Sequence, residues 1–250
     1  MKRGRMGCVL AGALLAVAAI PVRAQQAAQG TPVLVELFTS EGCSDCPPAD
    51  RLLAALDKTQ PFTGERAIVL SEHVTYWNHL GWRDPFSMDE MTERQKAYVD
   101  QFRLDSAYTP EMVVDGAAQF VGSDVRALDA AMRAAAGRPK EELEIENARW
   151  ENGAAQFSVH GTAAPGVRLM AVLAADAAHV EVARGENAGR TLQHVAVVRV
   201  MKGYGGDVLD GRALKLSGNG VPSGPVRLVV FATEEKTGRV VGVAEQMLTR

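Results

Sequence analysis

The chain has 250 residues, 47% of them hydrophobic and 23% charged, with a formal net charge of −3. That is the profile of a globular protein with room for two modest domains. The acidic balance and the lack of any basic run argue against nucleic acid as a partner.

The N-terminus has the three parts of a secretory signal: basic Lys2, Arg3 and Arg5, apolar Val9 to Ile20, and a small-residue site at Val22-Arg23-Ala24. The apolar run is short for a membrane span. Residues 1–24 are therefore expected to be removed, leaving a short tail, 25–30, with no stable membrane anchor and a secreted or periplasmic location. Cleavage removes four basic side chains (Lys2, Arg3, Arg5, Arg23) from a chain of −3, leaving −7. Of the three cysteines, Cys8 leaves with the signal. The remaining pair, Cys43 and Cys46, is compatible with an oxidising compartment.

Val33 to Phe38 reads as a buried strand, followed by a polar turn and Cys43-Ser44-Asp45-Cys46. Ala49, Leu52, Leu53 and Leu56 then recur at i, i+3, i+4, i+7, the spacing of one helix face. Pro47 and Pro48 fall in the first turn, where a missing N–H removes a donor without a partner. A cysteine at a helix N-terminus is held toward its thiolate, the form that attacks a disulfide sulfur. Cys43 is thus the expected nucleophile and Cys46, one turn later, the resolving thiol. Asp45 between them predicts a less acidic Cys43 than a neutral or basic neighbour would leave.

Ala67 to Leu70 is a second strand, continued by Ser71-Glu72-His73-Val74, and an aromatic loop with Trp77, Trp82, Asp84, Pro85 and Phe86 follows. Ser87 to Glu90 has a capping-box pattern opening a helix to about Arg103. Thr109-Pro110 precedes the strand Met112–Val114, Asp115-Gly116 signals a hairpin turn, and Gln119–Val121 returns. Ser123 is placed to cap a helix that Gly137 and Pro139 end. Strand, helix, strand, helix, strand, strand, helix, with C-x-x-C on the first helix, resembles the thioredoxin fold. The expectation is an α/β thioredoxin-like N-terminal domain over residues 31–138.

After Pro139 the rhythm changes to short strands: Leu143–Ala148, Ala155–His160, Arg168–Ala174, His194–Met201, Leu214–Leu216, Val226–Thr233 and Val240–Met247. Turn residues separate most of them, and no helix pattern intervenes. An all-β sandwich-like C-terminal domain over 139–250 is the expectation.

The motif Val35-Glu36-Leu37-Phe38-Thr39-Ser40-Glu41-Gly42-Cys43-Ser44-Asp45-Cys46-Pro47-Pro48, together with Tyr76-Trp77, Gly81-Trp82, Asp84-Pro85-Phe86 and Tyr108-Thr109-Pro110, resembles the secreted, thioredoxin-like family known as domain of unknown function 1223. Gly185-Glu186-Asn187, Gly189 and Val197-Val198-Arg199 are similar to that family's later half. Likeness to thioredoxin-fold enzymes implies a cis Thr109–Pro110 loop beside the cysteines, pairing with an extended substrate. It also implies a buried acid, Glu36, that moves protons for the resolving thiol. Trp77 and Trp82 are candidate walls of the substrate groove.

The resulting expectation is thiol–disulfide exchange on a protein or small-molecule thiol, with no cofactor beyond the cysteine pair. A purely structural disulfide gains little from so short a loop, roughly 2 kcal/mol against about 3 for fifteen residues. Two alternatives stay open. One is a copper-binding chaperone using Cys43, Cys46 and His73, because thiolate and imidazole suit copper. The other is a non-catalytic protein-binding module. His79, His160, His179 and His194 show no ligand spacing to one another, and Arg190 and His194 read most simply as a solvated charge and a strand-start histidine. Hydrolase and phosphate-binding motifs are absent.

Overall fold

The computed structural model describes residues 30–162 and 164–248. The expected signal, with Cys8, and most of the tail lie outside the described residues. In chain order the elements are β1 (Thr31–Thr39), α1 (Cys46–Thr59), β2 (Glu65–His73), α2 (Asp89–Phe102), β3 (Glu111–Val114), β4 (Ala118–Val121) and α3 (Val125–Ala136). They continue as β5 (Glu144–Glu151), β6 (Ala154–His160), β7 (Val167–Glu181), β8 (Thr191–Gly205), a 3-10 turn (Gly206–Leu209), β9 (Leu214–Ser217), β10 (Val226–Glu234) and β11 (Val240–Leu248). Among the described residues no helix is long and apolar enough to cross a membrane.

β1 runs parallel to β2, from Thr31 opposite Glu65 to Thr39 opposite His73, and antiparallel to β3. It is buried on both faces because helices cover both. Thr39 donates to Asp50 of α1, whereas Glu36 accepts from Arg94 and Tyr98 of α2. Odd and even positions of a strand point to opposite faces, so α1 and α2 lie on opposite sides of β1. In α1, Leu53 and Leu56 are fully buried, each contributing about 1.5–3 kcal/mol. The Asp115-Gly116 turn forms with φ positive at both residues, 51° and 59°, as a two-residue hairpin turn of this kind requires.

Two helix starts differ from expectation. Ser87 does not cap α2: Met88 takes that position, while the Ser87 hydroxyl donates to the Asp84 carbonyl. At α3 the cap is Asp124, not Ser123, its carboxylate accepting from the amides of Arg126 and Ala127.

The expected pairing of an α/β thioredoxin-like domain with a separate β sandwich is overturned. The protein is mostly β, with a mixed eight-stranded sheet in the order β11-β10-β7-β8-β2-β1-β3-β4 and a three-stranded sheet β5-β6-β9. The large sheet passes straight across residue 139. β2 is not an edge, because β8 joins it in parallel through Ser71 and Val197, and the Ser71 hydroxyl donates to the Val195 carbonyl. One apolar core runs from Val33, Val35 and Ile68 to Val172, Val198, Phe231 and Val243. Arg227 of β10 adds a partly buried bridge to Asp57 of α1, at 2.7 and 2.8 Å.

β7 alternates between two cores. Val172 and Ala174 face the helices, while Leu169, Ala171 and Leu173 face Phe157, Val159 and Leu216 of the three-stranded sheet. Apolar runs show that a strand is buried, but they do not name its neighbour. Here the neighbours of the C-terminal strands lie in the N-terminal half.

Candidate functional site

The cysteine turn is built at the C-terminal end of β1. The Cys43 amide donates to the Ser40 carbonyl at 3.1 Å, the Cys46 amide to the Cys43 carbonyl at 3.3 Å, and α1 begins at Cys46. Cys43 and Cys46 are joined as a disulfide with their Cα atoms 5.4 Å apart. Cys43 is 1% exposed and Cys46 fully buried. The Thr109–Pro110 bond is cis, and the Cys43 sulfur lies 3.8 Å from the Thr109 carbonyl oxygen. Both loop tryptophans are tied to this region: Trp77 Nε1 donates to Thr109 Oγ1 at 2.8 Å and Trp82 Nε1 to Glu41 Oε2 at 2.7 Å.

Behind the turn sits a cluster of buried ionisable side chains. Asp50 follows Cys46 by four residues, on the same face of α1. His194 of β8 lies between Asp50 and Glu41, its Nδ1 3.7 Å from Asp50 and its Nε2 3.5 Å from Glu41. Burial alone would lower the pKa of His194, but the flanking carboxylates of Asp50 and Glu41 outweigh it and push it up to about 9. The His73 ring stands edge-on to His194 at 4.6 Å and contacts Asp84 through Nδ1 at 2.7 Å. Burial would raise Asp84. The His73 imidazole and the amides of Glu41 and Phe86 more than offset this and hold its pKa at about 2.

A family model described as "Protein of unknown function (DUF1223)" matches residues 34–222. The chain belongs to the DUF1223 family. A solved crystal structure of an Agrobacterium tumefaciens protein is similar over 86% of this chain and 94% of that one, at 24% identity and a TM-score of 0.63. That likeness concerns the fold. No curated protein matches the chain.

In this DUF1223 chain the site draws together Cys43, Cys46, Thr109, Pro110, Trp77 and, through Glu41, Trp82. Glu36 belongs elsewhere. It lies on the α2 face of β1, bound by Arg94, by Tyr98 at 2.6 Å and near the equally buried Glu72. Burial, then the charge of Glu36, pushes Glu72 well up from its ordinary value. The carboxylates on the cysteine side of the strand are Asp50 and Glu41 instead. Of the set considered for copper, Cys43 and Cys46 are joined to each other as the disulfide. The His73 ring is turned toward Asp84 and His194, and among the described residues no group of three or more His, Cys, Asp or Glu side chains is arranged to hold a metal.

Sequence reasoning assigns no role to Asp50, nor to Glu41, Asp84 and Asn187, which stand within the quoted motifs, and it reads His194 as an ordinary strand-start residue. The four-residue spacing from Cys46 to Asp50 was the available signal. Asn187, fully buried, donates to the carbonyls of both Glu41 and Cys43 at 2.8 Å. No local pattern announces a contact spanning more than 140 residues.

Proposed function

We propose that the chain is an exported thiol–disulfide oxidoreductase whose Cys43–Cys46 pair exchanges electrons with the thiols of a protein or small-molecule partner. The observation that carries this reading is the position of the disulfide. It lies at the head of α1 beside the Thr109 carbonyl, backed by buried Asp50 and His194. A partner thiolate attacks the Cys43 sulfur, the disulfide bond breaks, and its electron pair leaves on Cys46, which takes a proton from the Asp50–His194 pair. A second partner thiolate then attacks the partner's own sulfur in the mixed disulfide and releases Cys43. Two electrons and two protons pass from a dithiol to the cysteine pair, and the reverse reaction follows the same steps. Thr109, Pro110, Trp77 and Trp82 form the substrate side of the turn.

The test is a pair of variants. Cys46→Ala is expected to trap a mixed disulfide through Cys43, and Cys43→Ala to abolish exchange with the fold intact. Failure of Cys46→Ala to form any mixed disulfide, with disulfide exchange undiminished in Cys43→Ala, would overturn the reading. Undiminished partner binding by a chain with both cysteines changed to serine would show a binding module instead.

A further inference from the structure

Resting on that reading, we propose that the tip of the β7–β8 hairpin, residues 182–190, is a cap over the redox turn, pinned by Asn187 and opened by displacing Glu186. The need for an opening follows from burial. Disulfide exchange requires access to the sulfur attacked, yet Cys43 is 1% exposed and Cys46 fully buried.

β7 and β8 pair as far as Glu181 opposite Thr191. The tip is then closed by the Val182 amide donating to the Arg190 carbonyl at 2.9 Å and the Gly189 amide to the Val182 carbonyl at 2.7 Å. Gly185, in the left-handed region at φ 79°, rests on the Trp82 side chain so closely that a Cβ there would stand 3.1 Å from that of Trp82. Two neighbouring side chains then reach the cysteine turn, and they differ in kind.

Asn187 is fully buried and satisfied at both ends of its amide. Its nitrogen donates to the Glu41 and Cys43 carbonyls, and its oxygen accepts from Arg190 at 2.9 Å. Breaking that arrangement takes the Asn187 donor from the buried Glu41 carbonyl and leaves the Cys43 carbonyl to the Cys46 amide at 3.3 Å. It is the pin. Glu186 is exposed and its Oε2 accepts from the Ser44 amide at 3.1 Å. A solvated contact of this sort contributes little and is readily exchanged.

The chemistry of the Glu186 contact makes it more than a cover. Ser44 follows Cys43, and its amide lies just before the start of α1, where free N–H groups favour a thiolate. A carboxylate bound there occupies one donor and adds a negative charge that disfavours the Cys43 thiolate. With the cap down, Cys43 is shielded and less acidic. With Glu186 displaced the same sulfur is more acidic, and once the Asn187 contacts also open it is reachable. Glu186 and Asn187 are thus positioning residues carried by the C-terminal half.

The test uses the full mature chain with Glu186→Gln and Asn187→Ala. It measures the rate at which dithiothreitol reduces the disulfide at pH 7 and the pH profile of alkylation of the reduced protein, with circular dichroism as the check on folding. Asn187→Ala is expected to be reduced at least about tenfold faster than the native chain, since the buried sulfur loses its cover. Glu186→Gln, a surface change that leaves the core alone, is expected to shift the Cys43 alkylation profile to lower pH. Alkylation at pH 7 should rise about three- to tenfold, the effect of removing one nearby charge. Native-like reduction rates and an unshifted profile in Glu186→Gln overturn the cap, whatever becomes of Asn187→Ala. The two readings fail separately: faster reduction in the variants without any mixed disulfide in Cys46→Ala overturns the oxidoreductase and leaves the cap standing.

Discussion

His194 supplies the sharpest quantitative test of the buried cluster. Burial opposes its charge, but Asp50 at 3.7 Å and Glu41 at 3.5 Å outweigh burial and move its pKa from 6.5 to about 9. The folded value lies above the unfolded one, so the folded state binds the proton more tightly. That stabilisation is fully present below pH 6.5 and is lost as pH rises through about 9. A shift of this size corresponds to about 3 kcal/mol at 1.36 kcal/mol per unit. The perturbation is His194→Gln, and the assay is urea unfolding of native and variant chains across pH 6 to 10. Native stability is expected to fall relative to the variant by about 3 kcal/mol over that window. Subtracting the variant removes groups that titrate in both chains, and the slope rather than the offset carries the test. A native-minus-variant difference that stays flat between pH 6.5 and 9, or a histidine resonance titrating at its ordinary value, would refute the reasoning.

Asp84 predicts the opposite pH sense. Held at about 2 by the His73 imidazole and two amides, against a burial effect that alone would raise it, it contributes stability above pH 3.8 that is lost as pH falls through 2. Asp84→Asn should lower stability at pH 7 by about 2 kcal/mol and flatten acid unfolding followed by circular dichroism. Glu111 is raised to about 7, chiefly by burial, with Gln95 opposing and the Glu36 charge adding. Its contribution is full below pH 4.5 and lost as pH rises through 7, so Glu111→Gln should remove that decline from urea midpoints over the same range. Asp124 caps α3 through two amides, and Asp124→Ala should cost about 1 kcal/mol in denaturant unfolding, whereas Ser123→Ala should leave stability unchanged.

The parts of the site visible in the sequence are those whose partners are close in the chain or whose residue type speaks for itself. The strand, the turn, the two cysteines and the helix they open lie within Thr31–Thr59, and apolar spacing and proline placement mark them. The caps show where local pattern misleads. Ser87 fits a capping box, but its hydroxyl is drawn to the Asp84 carbonyl and the Asn78 side chain. Ser123 yields to Asp124, one residue closer to the helix, whose carboxylate reaches two amides. β7 shows the limit of propensity. Its last residues, Ala175-Asp176-Ala177-Ala178-His179-Val180-Glu181, are mostly poor strand formers, and pairing of Ala177 with Val195 and His179 with Gln193 keeps them extended.

Likeness to thioredoxin-fold enzymes would set Glu36 beside the cysteines, and the strand itself explains why it lies elsewhere. A residue at an even position of β1 shares a face with Phe38 and α2, whereas Thr39 shares a face with α1. The acids facing the cysteine helix therefore come from the turn after β1 and from α1 itself, and they need a counter-charge. β8 provides it. It meets β2 at Ser71 and Val197, and its His194 stands edge-on to His73, the last residue of β2, at 4.6 Å and between Asp50 and Glu41. The tip of the same hairpin, at the end nearest His194, delivers Asn187 to the carbonyls of Glu41 and Cys43. One strand insertion thus sets the charge behind the disulfide and the cover over it, which is why a boundary near residue 139, plausible from composition, cuts through the chemistry rather than beside it.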